Sequence, residues 1–211
     1  MRGRLPSIAA AFYLPMAVAA LVWIWARGAG TPWLSSNHWL QAPYGTRLLL
    51  SLSAGLVLAL FTVAVTPLLV KQAPWAARLH AEFRSAIGPL SRREIWLLAL
   101  MSGTAEELLF RGALQPVVGL WLASLIFGGV HVGPSRLYLP WTLWAFVMGL
   151  LFGLIYAATG VLWGAILAHV TINQRNMRFI QRHDPVRSSI GRLECDRKRE
   201  CVSIDGADDD L

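Results

Sequence analysis

Apolar residues along the chain gather into long blocks separated by short polar ones. A first block covers residues 8–25 and a second residues 48–70. Between them, residues 26–47 carry Pro32 and Pro43 together with Trp33 and Trp39, which suit a connection with aromatic anchors at the membrane–water interface. The first block follows Arg2 and Arg4, as a signal peptide would. It is longer than a signal h-region and ends in Trp23, Ile24 and Trp25 instead of small residues, so it reads as a retained span.

Residues 71–93 break the apolar rhythm with Lys71, Arg78, Arg84, Arg92 and Arg93, while Trp75, Leu79 and Phe83 recur every four residues. That pattern predicts an amphipathic helix lying in the membrane surface, ended by Gly88-Pro89. Ser91 and Glu94 then form an S-x-x-E capping box, which predicts that a third span starts there and weakens near Gln115-Pro116. A fourth segment, 117–132, is only just long enough to cross. A fifth, 141–158, follows Gly133-Pro134 and Arg136, and a sixth runs over 161–180. Gly149 and Gly153, like Gly160 and Gly164, are four apart and predict close approach of the last helices. The expected fold is all-α, a polytopic transmembrane helical bundle of about six spans plus an interfacial amphipathic helix. Residues 1–180 form one membrane-embedded domain, and 181–211 form a polar tail expected to be flexible.

Composition agrees with this pattern. The chain has 211 residues, 55% hydrophobic and 15% charged, with ten tryptophans and a mean hydropathy of +0.50, which excludes an ordinary soluble domain. The formal charge of +7 would suggest nucleic acid in a soluble protein. Here the arginines flank apolar blocks, so they read as topology signals: the lipid bilayer is a partner and nucleic acid is not. With six spans, Arg2 and Arg4, the 71–93 segment and Arg175, Arg178, Arg182 and Arg187 fall on one side, which places both termini in the cytoplasm. Cys195 and Cys201 match no zinc or redox spacing and read as free thiols in a reducing compartment.

The chemistry concentrates in residues 103–112, GTAEELLFRG, inside apolar surroundings. Ionised groups in hydrocarbon are costly unless they pair or face water, so a Glu-Glu pair there is a candidate site. On a helix, Glu107 and Arg111 are spaced to pair, whereas Glu106 points about 100° away and is left free. Phe127 and His131 lie one helical turn apart at the end of the fourth segment, and His169 and Asn173 share a stripe of the sixth. Each has a plainer reading: an ion pair that fixes helix orientation, a packing phenylalanine, hydrogen-bonded histidines, an interfacial asparagine. His38, His80 and His183 read as solvated. Taken together, a carboxylate and an imidazole can activate a water, while a second imidazole and an amide can stabilise an oxyanion, worth about 3 kcal/mol per donor. No serine or cysteine stands in a recognisable nucleophile motif. For Glu106 to reach the histidines, the first turns of its helix, residues 92–97, are expected to stand in the cytoplasmic interface, with a cavity open to that side.

EELLFR, Phe127 to His131 and His169 to Asn173 fit E-E-x-x-x-R, F-x-x-x-H and H-x-x-x-N, in that order. Over residues 88–175 the chain thereby resembles the CAAX protease and bacteriocin-processing (CPBP, or ABI) family of intramembrane glutamic endopeptidases. The resemblance implies a metal-independent protease without cofactor, acting on a membrane-anchored or hydrophobic protein substrate in a prokaryotic plasma membrane. It implies Glu106 as the water-activating base, His131 as its partner, His169 and Asn173 as the oxyanion pair, and Glu107, Arg111 and Phe127 in support. Two other readings stand beside it. One is a metal-dependent membrane hydrolase, although H-E-x-x-H is absent. The other is a non-proteolytic scaffold or immunity-type protein.

Overall fold

The computed structural model describes residues 4–184, and all its regular elements are helices. They are α1 (Arg4–Ala26), α2 (Tyr44–Gln72), α3 (Pro74–Ile87), α4 (Arg92–Glu107), a π-helical segment (Leu108–Leu114), α5 (Gln115–Gly129), a 3-10 turn (Arg136–Tyr138), α6 (Leu139–Thr159) and α7 (Trp163–Arg182). Among the described residues four stretches are long and apolar enough to cross a membrane: Leu5–Ala26, Tyr44–Gln72, Arg92–Gly129 through the π segment, and Arg136–Thr159. Large apolar side chains such as Phe12, Phe61, Trp121 and Leu143 are exposed along them. Hydrocarbon is the solvent that accommodates such a surface, and the protein is an integral membrane protein. The tail beyond residue 184, with Cys195 and Cys201, lies outside the described residues.

Helix α7 is the central post. It packs against α2, α4 and α6, and its apolar half is almost wholly buried. Its last turns carry Arg175, Arg178 and Arg182, which is why α7 does not stand out as a membrane span by hydropathy. Contact with α2 is backbone to backbone: a Cβ on Gly55 would stand 2.1 Å from the Gly164 carbonyl oxygen, and one on Gly164 2.0 Å from that of Ser51. Ser51 uses this proximity, donating to the Val161 carbonyl and accepting from the Gly164 N–H. The glycine spacing thus serves neighbours other than those expected, since Gly149 and Gly153 face α5 while Gly164 faces α2.

The capping box forms as its sequence requires. Ser91 Oγ accepts from the Glu94 N–H at 3.3 Å and Glu94 Oε2 accepts from the Ser91 N–H at 2.7 Å. The third span departs from expectation, however. It does not weaken at Gln115-Pro116 but runs on through the π segment, with Pro116 tolerated in the first turn of α5. The break comes at Gly119, whose φ of 83° is a left-handed value open to glycine. Residues 92–118 therefore cover about 40 Å, and the returning helix 120–129 only about 15 Å, half a bilayer. The fourth span expected over 117–132 is shorter than that expectation.

One end of the bundle is closed by the α1–α2 connection, where Ser35, Trp39 and Leu40 donate backbone hydrogen bonds to the end of α6. Arg27 donates to the Gly112 carbonyl and Arg47 to that of Thr159. The other end gathers α3, the start of α4 and the end of α7. Arg84 donates to the Ile180 and Gln181 carbonyls, while Gln181 accepts from the Leu90 N–H and donates to the Gly88 carbonyl. The arginines of α3, α4 and α7 thus share one end of the molecule, while Arg2 and Arg187 lie outside the described residues. His80 and His183 are also there, and the reading of His80 as solvated is corrected. His80 is 5% exposed, donates to the His183 carbonyl at 3.0 Å and packs its ring against Phe179.

Candidate functional site

Helices α4 and α7 run antiparallel and in register, and that register assembles the site. Leu90 meets Gln181 at the rim, Ser102 meets Asn173 a few turns deeper, and Glu107 meets His169 deeper still. Glu106 lies fourteen residues beyond Arg92 and His169 thirteen before Arg182, about 20 Å in each case at 1.5 Å per residue. The two residues are therefore equally deep. This match arises because α7 continues two turns past Arg175 and ends beside α3.

Glu107 is fully buried and anchors a polar chain. Its Oε1 accepts from Arg111 Nη1 at 3.2 Å and from His169 Nδ1 at 2.7 Å. Arg111, 1% exposed, also donates to the Gly149 carbonyl at 3.0 Å and lies over the Phe127 ring at 4.4 Å. A buried guanidinium is tolerated because a carboxylate, a carbonyl and an aromatic face share it. Gly149 lets α6 come close enough to offer that carbonyl, and Gln115 repeats the arrangement one step on, donating to the Gly153 carbonyl. The π-helical turn begins immediately after the paired glutamates and carries Arg111, a placement common to π-bulges at functional sites.

Glu106 points elsewhere, as the 100° rotation predicts. Its Oε2 is 3.8 Å from His131 Nε2 and 3.8 Å from His169 Nε2, and it makes no hydrogen bond within the protein. The tautomers follow from the partners. His131 Nδ1 lies 2.6 Å from the Phe127 carbonyl, which can only accept, so Nδ1 carries the proton and neutral His131 offers a lone pair at Nε2. His169 Nδ1 likewise donates to Glu107. Its ring is held by stacking on Phe152 at 5.1 Å and by the edge of Phe127. Asn173 Nδ2 donates to Ser102 Oγ at 3.0 Å.

All seven residues singled out in the sequence thus lie in one region: Glu106, His131, His169 and Asn173 line one cavity, with Phe127 in its wall and Glu107 and Arg111 behind it. The sequence reading missed Tyr13, Ser102 and Phe152. Tyr13 on α1 lines the same cavity as Glu106. A lone tyrosine in an apolar span is the signal that could have singled it out. Among the described residues no group of three or more His, Cys, Asp or Glu is arranged to hold a metal ion.

The cavity measures about 860 Å³ and is mostly apolar. Glu106 and the histidines lie among its walls, α6 and α7 form its sides, and α3 contributes Trp75, Leu79 and Phe83. The stripe read as a membrane-surface face is therefore also a cavity wall.

Bundle and site define a polytopic helical membrane protein with a buried Glu–His centre. Residues 90–174 match the family described as Type II CAAX prenyl endopeptidase Rce1-like, so the resemblance carried by the three motifs holds over that segment. Over 81 residues the chain is 43% identical to the uncharacterized protein YpbD of Bacillus subtilis (strain 168), a stretch covering 37% of this chain and 41% of that relative. The match thus spans less than half of either protein. No solved structure matches the chain.

Proposed function

We propose that this protein is a glutamic-type intramembrane endopeptidase that hydrolyses a peptide bond of a membrane-anchored or hydrophobic protein, with no metal in the reaction. The observation that carries this reading is Glu106 Oε2, buried beside a large apolar cavity, flanked by two imidazole nitrogens and free of protein hydrogen bonds. A water held there can donate one hydrogen to the carboxylate and the other to His131 Nε2, which turns an oxygen lone pair towards a carbonyl in the cavity. As oxygen attacks, Glu106 takes up one proton while His131 holds the remaining O–H, and Glu106 passes that proton to the nitrogen as the C–N bond breaks, leaving an amine and a carboxylic acid. His169, with Nδ1 donating to Glu107, can donate from Nε2 only as an imidazolium. In that form His169 and Asn173 together can receive the oxyanion. The family name supplies a candidate substrate class, proteins ending in a prenylated CAAX segment, and the cavity has room for an apolar chain. Both termini and the mouth of the cavity are assigned to the cytoplasmic side of a prokaryotic plasma membrane.

The test compares membrane-protein termini by mass spectrometry in cells carrying the native protein or its Glu106→Gln form. New C-termini confined to the native cells are expected. Identical termini in both would remove the proteolytic reading and favour a scaffold.

A further inference from the structure

Between α2 and α7, next to the Glu106 cavity with which it shares Asn176 and Phe179, lies a groove of about 250 Å³. Its α7 wall is Arg175, Arg178 and Arg182, with Asn176 and Phe179, and its α2 wall is Val63 and Pro67. Spacings of three and four put the three arginines on one face of α7, along about 10 Å of helix. None of them pairs with a carboxylate among the described residues. The charges acting on Arg178 are Arg182, Arg92 and Arg175, all cationic. Three like charges held on one face repel one another, so the groove favours an anion that can bridge them. The opposite wall belongs to a membrane span whose neighbouring Phe61 and Leu68 are exposed to hydrocarbon.

We propose that this groove binds one anionic phospholipid, its phosphate held by Arg175, Arg178 and Arg182 and its acyl chains lying along α2. A guanidinium triad suits phosphate because each fork can present two N–H donors to its oxygens. The apolar α2 wall distinguishes a lipid from a free anion, which would gain nothing from Val63 and Pro67. Bound there, the lipid braces the end of the helix that carries His169 and Asn173. The inference does not depend on the peptidase reading.

The test uses the full-length protein, delipidated in detergent and transferred to nanodiscs of phosphatidylcholine with or without phosphatidylglycerol, with retained lipid read by native mass spectrometry. Wild type is expected to keep one phosphatidylglycerol. The triple variant Arg175→Gln, Arg178→Gln, Arg182→Gln should keep it at least tenfold less, and the single Arg178→Gln several-fold less, which covers misfolding of the triple variant. A charge-matched control, Lys71→Gln, Arg78→Gln, Arg93→Gln, should change retention less than twofold. Equal losses in site and control variants would reduce the effect to general surface attraction and overturn the proposal. So would retention of phosphatidylcholine as strong as that of phosphatidylglycerol, or displacement of the lipid by millimolar inorganic phosphate.

Discussion

Glu107 of α4 accepts a 2.7 Å hydrogen bond from His169 of α7, while its neighbour Glu106 faces the other nitrogen of the same imidazole at 3.8 Å. One histidine thus separates two adjacent carboxylates into different tasks. On the proposed mechanism Glu106→Gln removes the base and should lower peptidase activity about 10²- to 10⁴-fold or more. Glu107→Gln keeps an acceptor for Nδ1 but removes the negative charge beside the imidazole, so a loss is expected here too, through a lower kcat at similar KM. Turnover of a membrane-anchored reporter peptide, with thermal unfolding in parallel, checks both. Full activity in Glu107→Gln would detach His169 from oxyanion stabilisation.

Among the described residues Arg111 is the one arginine or lysine paired with Glu107, and both Arg111 and Glu107 are sealed from solvent. Arg111→Met should therefore strand a buried carboxylate and destabilise the protein by about 3–5 kcal/mol. Adding Glu107→Gln to it should recover part of that loss, since the stranded charge disappears. Chemical unfolding of the detergent-solubilised single and double variants measures the difference. Additive losses would contradict the pairing.

Most of this site was legible in the sequence because helical geometry is local. The four-residue spacings Glu107–Arg111, Phe127–His131 and His169–Asn173 fix which side chains share a face, whatever the tertiary fold. What was not legible depends on packing between helices. The bond between Glu107 and His169 needs the α4–α7 register, Tyr13 reaches the Glu106 cavity only through the placement of α1, and Phe152 stacks on His169 from α6. The boundaries failed where backbone conformation overrode pattern. Pro116 was read as the weak point, but the first turn of a helix tolerates proline, and the turn was made by Gly119, hidden in an apolar run.

The α2–α7 contact offers a test of close helix packing. Gly164→Ala would place a methyl group 2.0 Å from the Ser51 carbonyl oxygen, and backbone cannot yield as a side-chain tip can. A loss of about 1–3 kcal/mol or more is expected, with reduced activity because α7 carries His169 and Asn173. Gly45→Ala, in the same α2 but facing open space, should be neutral or slightly stabilising. Thermal unfolding of both variants compares them directly.

If Glu106 and His131 activate water by themselves, chelation should leave turnover unchanged within experimental error. His131 Nδ1 and His169 Nδ1 are committed to protein acceptors, which leaves one nitrogen of each facing Glu106. Assay after exhaustive dialysis against a chelator, with metal content measured on the same sample, gives the answer. Activity that disappears and returns with added zinc would replace the glutamic reading with a metal-dependent one.

The docking of α3 should depend on pH through His80. Its ring is buried against Phe179, faces the His183 ring at 5.6 Å, and has Arg84 and Asp184 as charged neighbours. Burial is the largest effect and holds its pKa below the ordinary 6.5, with the His183 carbonyl bond opposing that shift and Arg84 adding to it. When α3 is detached, His80 binds a proton more readily than when it is docked. The stabilisation from neutral His80 is therefore complete above about pH 6.5 and is lost as pH falls from there towards the lowered value. Hydrogen–deuterium exchange over residues 74–87 should show weaker protection at pH 5.5 than at pH 7.5, after correction for intrinsic exchange rates. His80→Gln keeps an N–H for the His183 carbonyl but cannot titrate, so its protection should change less between the two pH values. Because Trp75, Leu79 and Phe83 wall the cavity, acidification should also raise the accessibility of a cysteine placed at Leu98 in the wild-type background. An equal acid response in wild type and His80→Gln would assign the effect to another group.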